Sequence, residues 1–142
     1  MNEEILQYIQ AWIQKAEHDL KTVEIILGSQ EENKPYDTVC FHCQQAAEKY
    51  LKAYLIFLDK DFPRTHNIVR LIEIGAETDK NLYGLSKAEV LTSFAADARY
   101  PEPYFQMPSR EEAESAFAIA CEIKKFVLQR VNPGAQRTGE SE

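Results

Sequence analysis

The fold is decided by the stretch YDTVCFHCQQAAEKYLKAYLIFLD, residues 36–59. Apolar side chains recur through it at three- and four-residue steps, which is the spacing of one side of an α-helix. They are Val39, Cys40, Cys43, Ala47, Tyr50, Leu51, Tyr54 and Leu58. An apolar arc of this width is typical of a helix that packs on at least two neighbours. The stretch therefore predicts a central helix.

Long helices are also predicted towards the two ends of the chain. Residues 3–28 carry apolar side chains at helical spacing, and Gly28 is a plausible stop. The last helix opens at Ser109, whose spacing from Glu112 is that of a capping box, in which the two residues bond to each other's backbone amides. Residues 132–142, NPGAQRTGESE, lack apolar content and predict a disordered C-terminal tail.

Two shorter helices are predicted between the long ones. One begins after Thr65, a natural N-cap, and the other begins at Ser86, which has capping-box spacing with Glu89. No segment alternates with the period of a β-strand. We therefore expect an all-α fold over residues 1–131, an up-and-down bundle of about five helices.

The charge and composition exclude several classes of protein. The chain has 142 residues and a formal net charge of −7, so it lacks the overall positive field that draws proteins to nucleic acid. No apolar run approaches the ~20 residues of a membrane span. The N-terminus, MNEEILQYIQ, is acidic and does not resemble a signal peptide. We expect a cytoplasmic protein whose three cysteines are reduced thiols, with no membrane association and no broad nucleic-acid binding.

The sequence CFHC, residues 40–43, looks like half of a zinc site. A complete site needs four ligands within reach, and the sequence offers no second pair of this kind. Cys40 and Cys43 fall on the apolar side of the predicted central helix, where free cysteine is commonly buried. We therefore interpret them as core residues, and we expect no metal and no cofactor.

A polar stripe is predicted on another face of the same helix. His42, Gln45, Lys49 and Lys52 are separated by three, four and three residues, so they share one face. Lysine meets phosphate oxygens as a point charge, which makes Lys49 and Lys52 candidates for binding a phosphate-bearing ligand. A solvated helix face is the alternative interpretation.

Arg64 and His66 flank the predicted start of the third helix, in the sequence PRTHN, residues 63–67. The first amides of a helix have no internal partner and carry a positive dipole, so this position attracts anions. Arg64 and His66 could together hold a phosphate there. The alternative is ordinary capping by Thr65, with His66 packed beneath the neighbouring loop.

Arg99 and Tyr100 lie at the start of a proline-rich stretch, RYPEPYFQMP, residues 99–108. Three prolines prevent regular helix there. An aromatic ring beside an arginine can stack on a base while the guanidinium meets its phosphate. Alternatively, the tyrosines only cover the end of the bundle.

Several of these segments together resemble the HEPN domain family. The stretch FHCQQAAEKYLKAYLIF, residues 41–57, looks like the signature helix of that family, and KAEHDL, residues 15–20, looks like its opening pattern. His66 followed by Ile68 and Leu71 fits its "TH…L" segment, and residues 99–101 fit its "RYP" segment. The resemblance covers about residues 3–131 and involves these motifs in order.

The resemblance implies a helical bundle that commonly dimerises and binds nucleotides. Prokaryotic members of the family often stand beside a separately encoded minimal nucleotidyltransferase, sometimes as a toxin–antitoxin pair. The resemblance also favours Lys49, His66 and Arg99 as binding residues. We hypothesise that these three side chains meet when the bundle closes. We thus expect a nucleotide, ATP or GTP, a second copy of the chain and a nucleotidyltransferase protein as partners.

Some branches of the family are metal-independent ribonucleases, which use an arginine followed after four to six residues by a histidine. The histidines of this chain are 18, 42 and 66, and none has an arginine at that spacing. Lys60 precedes His66 suitably, but lysine does not replace the planar guanidinium fork. The resemblance therefore favours nucleotide binding over self-sufficient catalysis. A ribonuclease toxin and a non-catalytic scaffold that binds protein are the alternatives.

The predicted nucleotide-binding residues are Lys49, Lys52, Arg64, His66, Arg99 and Tyr100.

Overall fold

The computed structural model describes residues 1–94, 101 and 103–131. The helices of this part are α1 (Glu3–Gly28), α2 (Tyr36–Phe57), α3 (Ile68–Ala76), a 3₁₀-helical segment (Lys80–Leu91) and α4 (Arg110–Val131). No strand occurs within these described ranges. The expectation of an all-α bundle of about five helices is therefore confirmed. The predicted tail, residues 132–142, lies outside the described residues.

The three long helices form the frame of the bundle, with α2 between the other two. Trp12 of α1 lies against Lys52 of α2, and Asp19 of α1 bonds to His42, so α1 and α2 run antiparallel. α4 also packs along α2, and it meets α1 mainly through the ion pair of Lys124 with Glu17, 2.9 Å apart. α1 therefore buries one side of the central helix α2, and α4 buries another.

The core is built around α2 because both of its packed faces carry small or apolar side chains. Ala46, Ala47 and Ala53 are fully buried, and Tyr50 and Leu51 fill the space between helices. α4 contributes a matching row of small side chains that allows the helices to approach closely: Ala113, Ala116 and Ala120. The width of the apolar arc in the sequence is thus explained by two helix partners.

The ends of the long helices follow from their local sequences. Asn2 caps α1 by accepting a hydrogen bond from the amide of Ile5. The capping box at the start of α4 is confirmed: Ser109 Oγ accepts from the amide of Glu112, and Glu112 Oε1 accepts from the amide of Ser109. α2 ends at Phe57, two residues before the predicted end, because Asp59 takes a left-handed backbone conformation with φ of 59°.

The start of α3 differs from the prediction. Thr65 is not the N-cap; its hydroxyl accepts from the amide of Asn67, and Asn67 in turn caps the helix by accepting from the amide of Arg70. α3 therefore begins at Ile68. Thr65 and Asn67 both have short polar side chains that can cap a helix, and the spacing of apolar residues does not decide between them.

The fourth helical segment also differs from the prediction, because it begins at Lys80 and is 3₁₀-helical. Asp79 caps it by accepting from the amide of Asn81. The hydroxyl of Ser86 instead bonds back to the carbonyl of Tyr83, so the expected capping box at Ser86 is wrong. α3 packs tightly on this segment at Gly75, where a Cβ atom would collide with the side chain of Leu82.

Asp79 also ties this segment to the long helices. Its carboxylate accepts hydrogen bonds from Tyr54 of α2, at 2.6 Å, and from Arg130 of α4, at 3.0 Å. The guanidinium of Arg130 lies 3.4 Å from the centroid of the Phe126 ring.

Across the described residues, no helix combines the length and apolar character that crossing a membrane requires.

Candidate functional site

Two buried carboxylates organise the polar surface of α2. Asp19 comes from α1 and Glu48 from α2 itself, and each of them holds one histidine and one lysine. A buried carboxylate is costly unless positive charge and hydrogen-bond donors surround it. The two groups of side chains are named here the Asp19 cluster and the Glu48 cluster.

The Asp19 cluster joins α1 to α2. One carboxylate oxygen of Asp19 lies 2.8 Å from Nδ1 of His42, and the other lies 2.7 Å from Nζ of Lys49. The side chain of Asp19 is mostly buried, whereas those of His42 and Lys49 are about a quarter exposed. Two donors from α2 therefore fix α1 at this height of the bundle.

The Glu48 cluster lies on the same helix and reaches the loop before α3. Oε1 of Glu48 accepts from Nζ of Lys52 at 2.7 Å, and Oε2 accepts from Nε2 of Gln44 at 2.8 Å. Oε2 also lies 2.9 Å from Nδ1 of His66. Burial raises the pKa of Glu48, but the hydrogen bonds from Lys52, His66 and Gln44 outweigh it, so the net pKa is lowered. Glu48 is therefore an anion at neutral pH.

Lys52 is enclosed rather than free in solvent. Its ammonium group lies 5.7 Å from the ring centroids of both Trp12 and Phe62, in addition to its bond to Glu48. The quadrupoles of the two aromatic rings favour a cation at this position. Lys52 thus mainly neutralises the negative charge of Glu48.

His66 is oriented by the Glu48 cluster and still reaches solvent. Because an ionised carboxylate only accepts hydrogen bonds, the ring proton of His66 belongs on Nδ1, and Nε2 carries the lone pair. The backbone carbonyl of His66 also accepts from Nε2 of Gln44, at 3.2 Å. The side chain remains 55% exposed, so Nε2 is available to a ligand.

Other groups that can bind an anion lie close to His66 along the chain, at the start of α3. Arg64 is exposed and forms no ion pair with any residue in the described ranges. The amide of Ile68 bonds to Thr92, and that of Arg70 bonds to Asn67, but the amide of Val69 between them has no partner in the part of the chain that the structure describes. A guanidinium, an imidazole and an open helix amide are each groups that bind anions.

The structure brings some of the predicted binding residues together and separates others. Lys52 and His66 share the carboxylate of Glu48, and Arg64 precedes His66 by two residues. Lys49 belongs instead to the Asp19 cluster. Arg99 and Tyr100 lie outside the described residues.

The cysteines of the CFHC sequence lie in the core, as predicted. Cys40 and Cys43 are fully buried. Burial, with smaller effects of Glu112 and Asp37, raises the pKa of Cys40 to about 11, and burial likewise raises the pKa of Cys43. Both thiols are therefore protonated and unreactive at neutral pH. The described residues contain no group of three or more histidine, cysteine, aspartate or glutamate side chains arranged for a metal.

Sequence reasoning missed the two carboxylates that organise the site. Asp19 lies three residues after Ala16 and four before Val23, so it falls on the buried side of α1. Glu48 and Gln44 are four residues apart and directly neighbour the buried Ala47 and Cys43. A charged side chain inside an apolar stripe was the available signal, because such a residue needs an internal partner.

Comparisons with known proteins agree with this architecture. Residues 9–131 match the family model of the HEPN domain. A protein of Methanocaldococcus jannaschii named "Putative toxin MJ1304" is 31% identical over 107 residues, which cover 70% of this chain and 68% of the relative. The crystal structure of TT1696 from Thermus thermophilus superposes with a TM-score of 0.66 at 28% identity, over 85% of this chain and 96% of that one. The chain belongs to the HEPN domain family.

Proposed function

We propose that this HEPN chain is a nucleotide-binding protein that acts as a homodimer, and that it works with a separately encoded nucleotidyltransferase in a toxin–antitoxin type of pair. The relative from M. jannaschii carries the name "Putative toxin MJ1304", which supports the toxin–antitoxin part of the proposal. The nucleotide part rests on the geometry of His66. The dimer and the protein partner follow from what the family resemblance implies.

The observation that carries the nucleotide proposal is the bond between Glu48 and His66. Glu48 bonds to Nδ1 of the imidazole, so Nε2 is the ring nitrogen left for a ligand, and Arg64 and the first amides of α3 are close to it along the chain. When Nε2 also carries a proton, the ring can donate to an anion through Nε2 while Glu48 accepts from Nδ1. A phosphate group can accept hydrogen bonds from His66 and the helix amides, and Arg64 can donate two parallel hydrogen bonds to it.

The two predicted lysines have different roles in this proposal. Lys52 keeps Glu48 ionised from a buried position and supports the orientation of His66. Lys49 is more exposed, and it has to leave Asp19 in order to contact a ligand. We therefore assign the strongest contacts to His66 and Arg64, and weaker, long-range attraction to Lys49.

Calorimetric titration with ATP and GTP tests the proposal. The unaltered chain is expected to bind at least one of them, and Arg64→Ala and His66→Ala are each expected to weaken binding about tenfold, since each removes a charge-assisted hydrogen bond. Arg70→Ala is the matched control, because Arg70 is also an exposed arginine of this region. The proposal fails if millimolar nucleotide gives no heat of binding, or if the control weakens binding as much as Arg64→Ala.

A ribonuclease toxin is the second candidate function. One observation favours it: His66, oriented by a buried carboxylate, has the geometry of a general base. The arginine at the spacing of the ribonuclease branches is absent, so Arg64 would have to stabilise the transition state instead. Expression should then arrest growth of the host and degrade its RNA, and His66→Ala should abolish both effects. An intact RNA pool during expression of the unaltered chain excludes this function.

A further inference from the structure

A cleft lies between the end of the 3₁₀ segment and the start of α4. It consists of two cavities of about 220 and 240 Å³, which share the side chains of Phe94 and Glu112 as walls. The first cavity reaches Phe105 and Met107, and the second reaches Val90. These residues define the Phe94 cleft, which shares no residue with the Glu48 cluster or with Arg64.

The Phe94 cleft is open to solvent and carries four apolar side chains; its second cavity, beside Val90, is mainly apolar, whereas the exposed surface of the first cavity is mainly polar. Val90 is 55% exposed and Met107 is 53% exposed, while Phe105 is exposed and Phe94 is half-buried. Isolated exposed apolar residues are ordinary on protein surfaces, but four that line one concave surface form a contiguous patch. Such patches, when polar residues surround them, mark sites where another molecule binds.

The rim of the Phe94 cleft is negatively charged. Asp37 lies in the first turn of α2, and Glu111 and Glu112 lie in the first turn of α4, and all three line the two cavities. Each helix N-terminus contributes roughly half a positive charge, so two of them offset only about one of the three negative charges. Counted over the described residues alone, a net charge of about −2 therefore remains at this rim. The nearby Arg110 is paired with Glu114 and leaves this balance unchanged.

We propose that the Phe94 cleft is a docking site for a segment of a partner protein in which a lysine or arginine is flanked by apolar side chains. Charge complementarity decides the class of partner, because an acidic rim around apolar side chains repels acidic segments and anionic ligands. The aliphatic stem of a lysine or arginine covers these apolar side chains while its charged head reaches the rim. Apolar neighbours of that residue fill the second cavity, beside Val90 and Phe94. The proposal does not require nucleotide binding at His66.

The test uses short random peptides displayed on phage and selected on the full chain. The enriched peptides are then synthesised, and their dissociation constants are measured by fluorescence anisotropy. We expect enriched peptides to carry lysine or arginine next to apolar residues, and their binding to weaken with added salt. The double variant Val90→Ser, Glu111→Lys should weaken binding roughly tenfold, because it removes an apolar side chain of the cleft and reverses a charge of the rim.

A matched control variant is Tyr83→Ser, Glu114→Lys. Tyr83 is as exposed as Val90, at 56%, and Glu114 lies one turn from Glu111 but lines neither cavity. The control and His66→Ala should both bind the peptides as the unaltered chain does, which separates this proposal from nucleotide binding.

Three results would overturn the docking proposal: enrichment of no peptides, enrichment of acidic peptides, or equal binding by the cleft variant and the control. Light scattering adds a fourth test. If the cleft variant lowers the molecular mass of the free chain in solution, the cleft is an interface between copies of this chain instead.

Discussion

The Asp19 cluster and the Glu48 cluster share three kinds of side chain in a similar arrangement, and Glu48 also accepts a hydrogen bond from Gln44. Each has a buried carboxylate, a histidine that meets it through Nδ1, and a lysine. They differ in which elements the carboxylate joins. Asp19 bonds across two long helices, whereas Glu48 bonds within α2 and to the loop before α3.

That difference decides what each histidine can do. His42 is 26% exposed and is held between two packed helices, while His66 is 55% exposed at the end of a loop. The Asp19 cluster therefore stabilises the packing of α1 on α2, and the Glu48 cluster presents an oriented imidazole to solvent. Residue types alone do not distinguish these roles; the position of the carboxylate relative to the helices does.

The largest expected effect is that of Glu48→Gln on stability. The substitution keeps the shape of the side chain but leaves the buried ammonium of Lys52 without a counter-charge. Loss of one partner of a buried ion pair costs about 3 kcal/mol or more in the free energy of unfolding. Urea denaturation measures it, with Glu114→Gln as the control, since Glu114 and Arg110 form an exposed ion pair that solvent screens. A loss below about 1 kcal/mol would show that Lys52 is not buried with its charge.

Acid should remove the same contribution without any substitution. The pKa of Glu48 is lower in the folded chain than its ordinary value of about 4.3, so its stabilising effect is complete above that value. The effect is lost as the pH falls through the folded pKa. We therefore expect the difference in unfolding free energy between the unaltered chain and Glu48→Gln to shrink as the pH falls below about 4. A difference that is as large at about pH 3 as at about pH 5 would contradict this account of Glu48.

A smaller loss is expected from Asp19→Asn. The partners of Asp19 are about a quarter exposed, so water compensates them in part, and the expected loss is about 1–2 kcal/mol. A double-mutant cycle with His42→Gln isolates the direct coupling, expected at about 1 kcal/mol. Zero coupling would mean that the Asp19 cluster does not fasten α1 to α2.

The smallest effect on stability is expected from His66→Ala, at most about 0.5 kcal/mol, because His66 is more than half exposed. His42→Ala should cost about 1 kcal/mol, since it removes a bond to a mostly buried carboxylate. For nucleotide binding the order should be reversed: His66→Ala weakens binding, and His42→Ala leaves it nearly unchanged. Thermal denaturation and calorimetry on the same two variants check both orders. Equal effects of the two variants on binding would remove the distinction between the clusters.

Most of the fold could be predicted from the sequence because the long helices are strongly periodic. α1 has the predicted bounds, and the Ser109–Glu112 capping box opens α4 as expected. The 3₁₀ segment begins earlier than its local sequence predicts, because its start depends on Asp79, to which Tyr54 and Arg130 bond from elsewhere in the fold. Such tertiary contacts have no local signature in the sequence.

The candidate site could be predicted only in part. The shared face of α2 identified the cationic residues Lys49 and Lys52, and the sequence before α3 identified His66. Their counter-charges could not be paired from the sequence, because Asp19 lies 30 residues before Lys49, and Glu48 lies 18 residues before His66. Only the packing of α1 and the path of the loop bring them together.

The central claim is that Glu48 holds the imidazole of His66 so that its Nε2 atom faces a ligand. Nuclear magnetic resonance of the chain labelled with nitrogen-15 in its histidines tests this directly, because it distinguishes the two ring nitrogens. At mildly alkaline pH we predict that His66 carries its proton on Nδ1, and that added ATP or GTP shifts its Nε2 signal while that of His42 stays in place. A proton on Nε2 of the free chain, or a nucleotide-dependent shift at His42 with none at His66, would contradict the account.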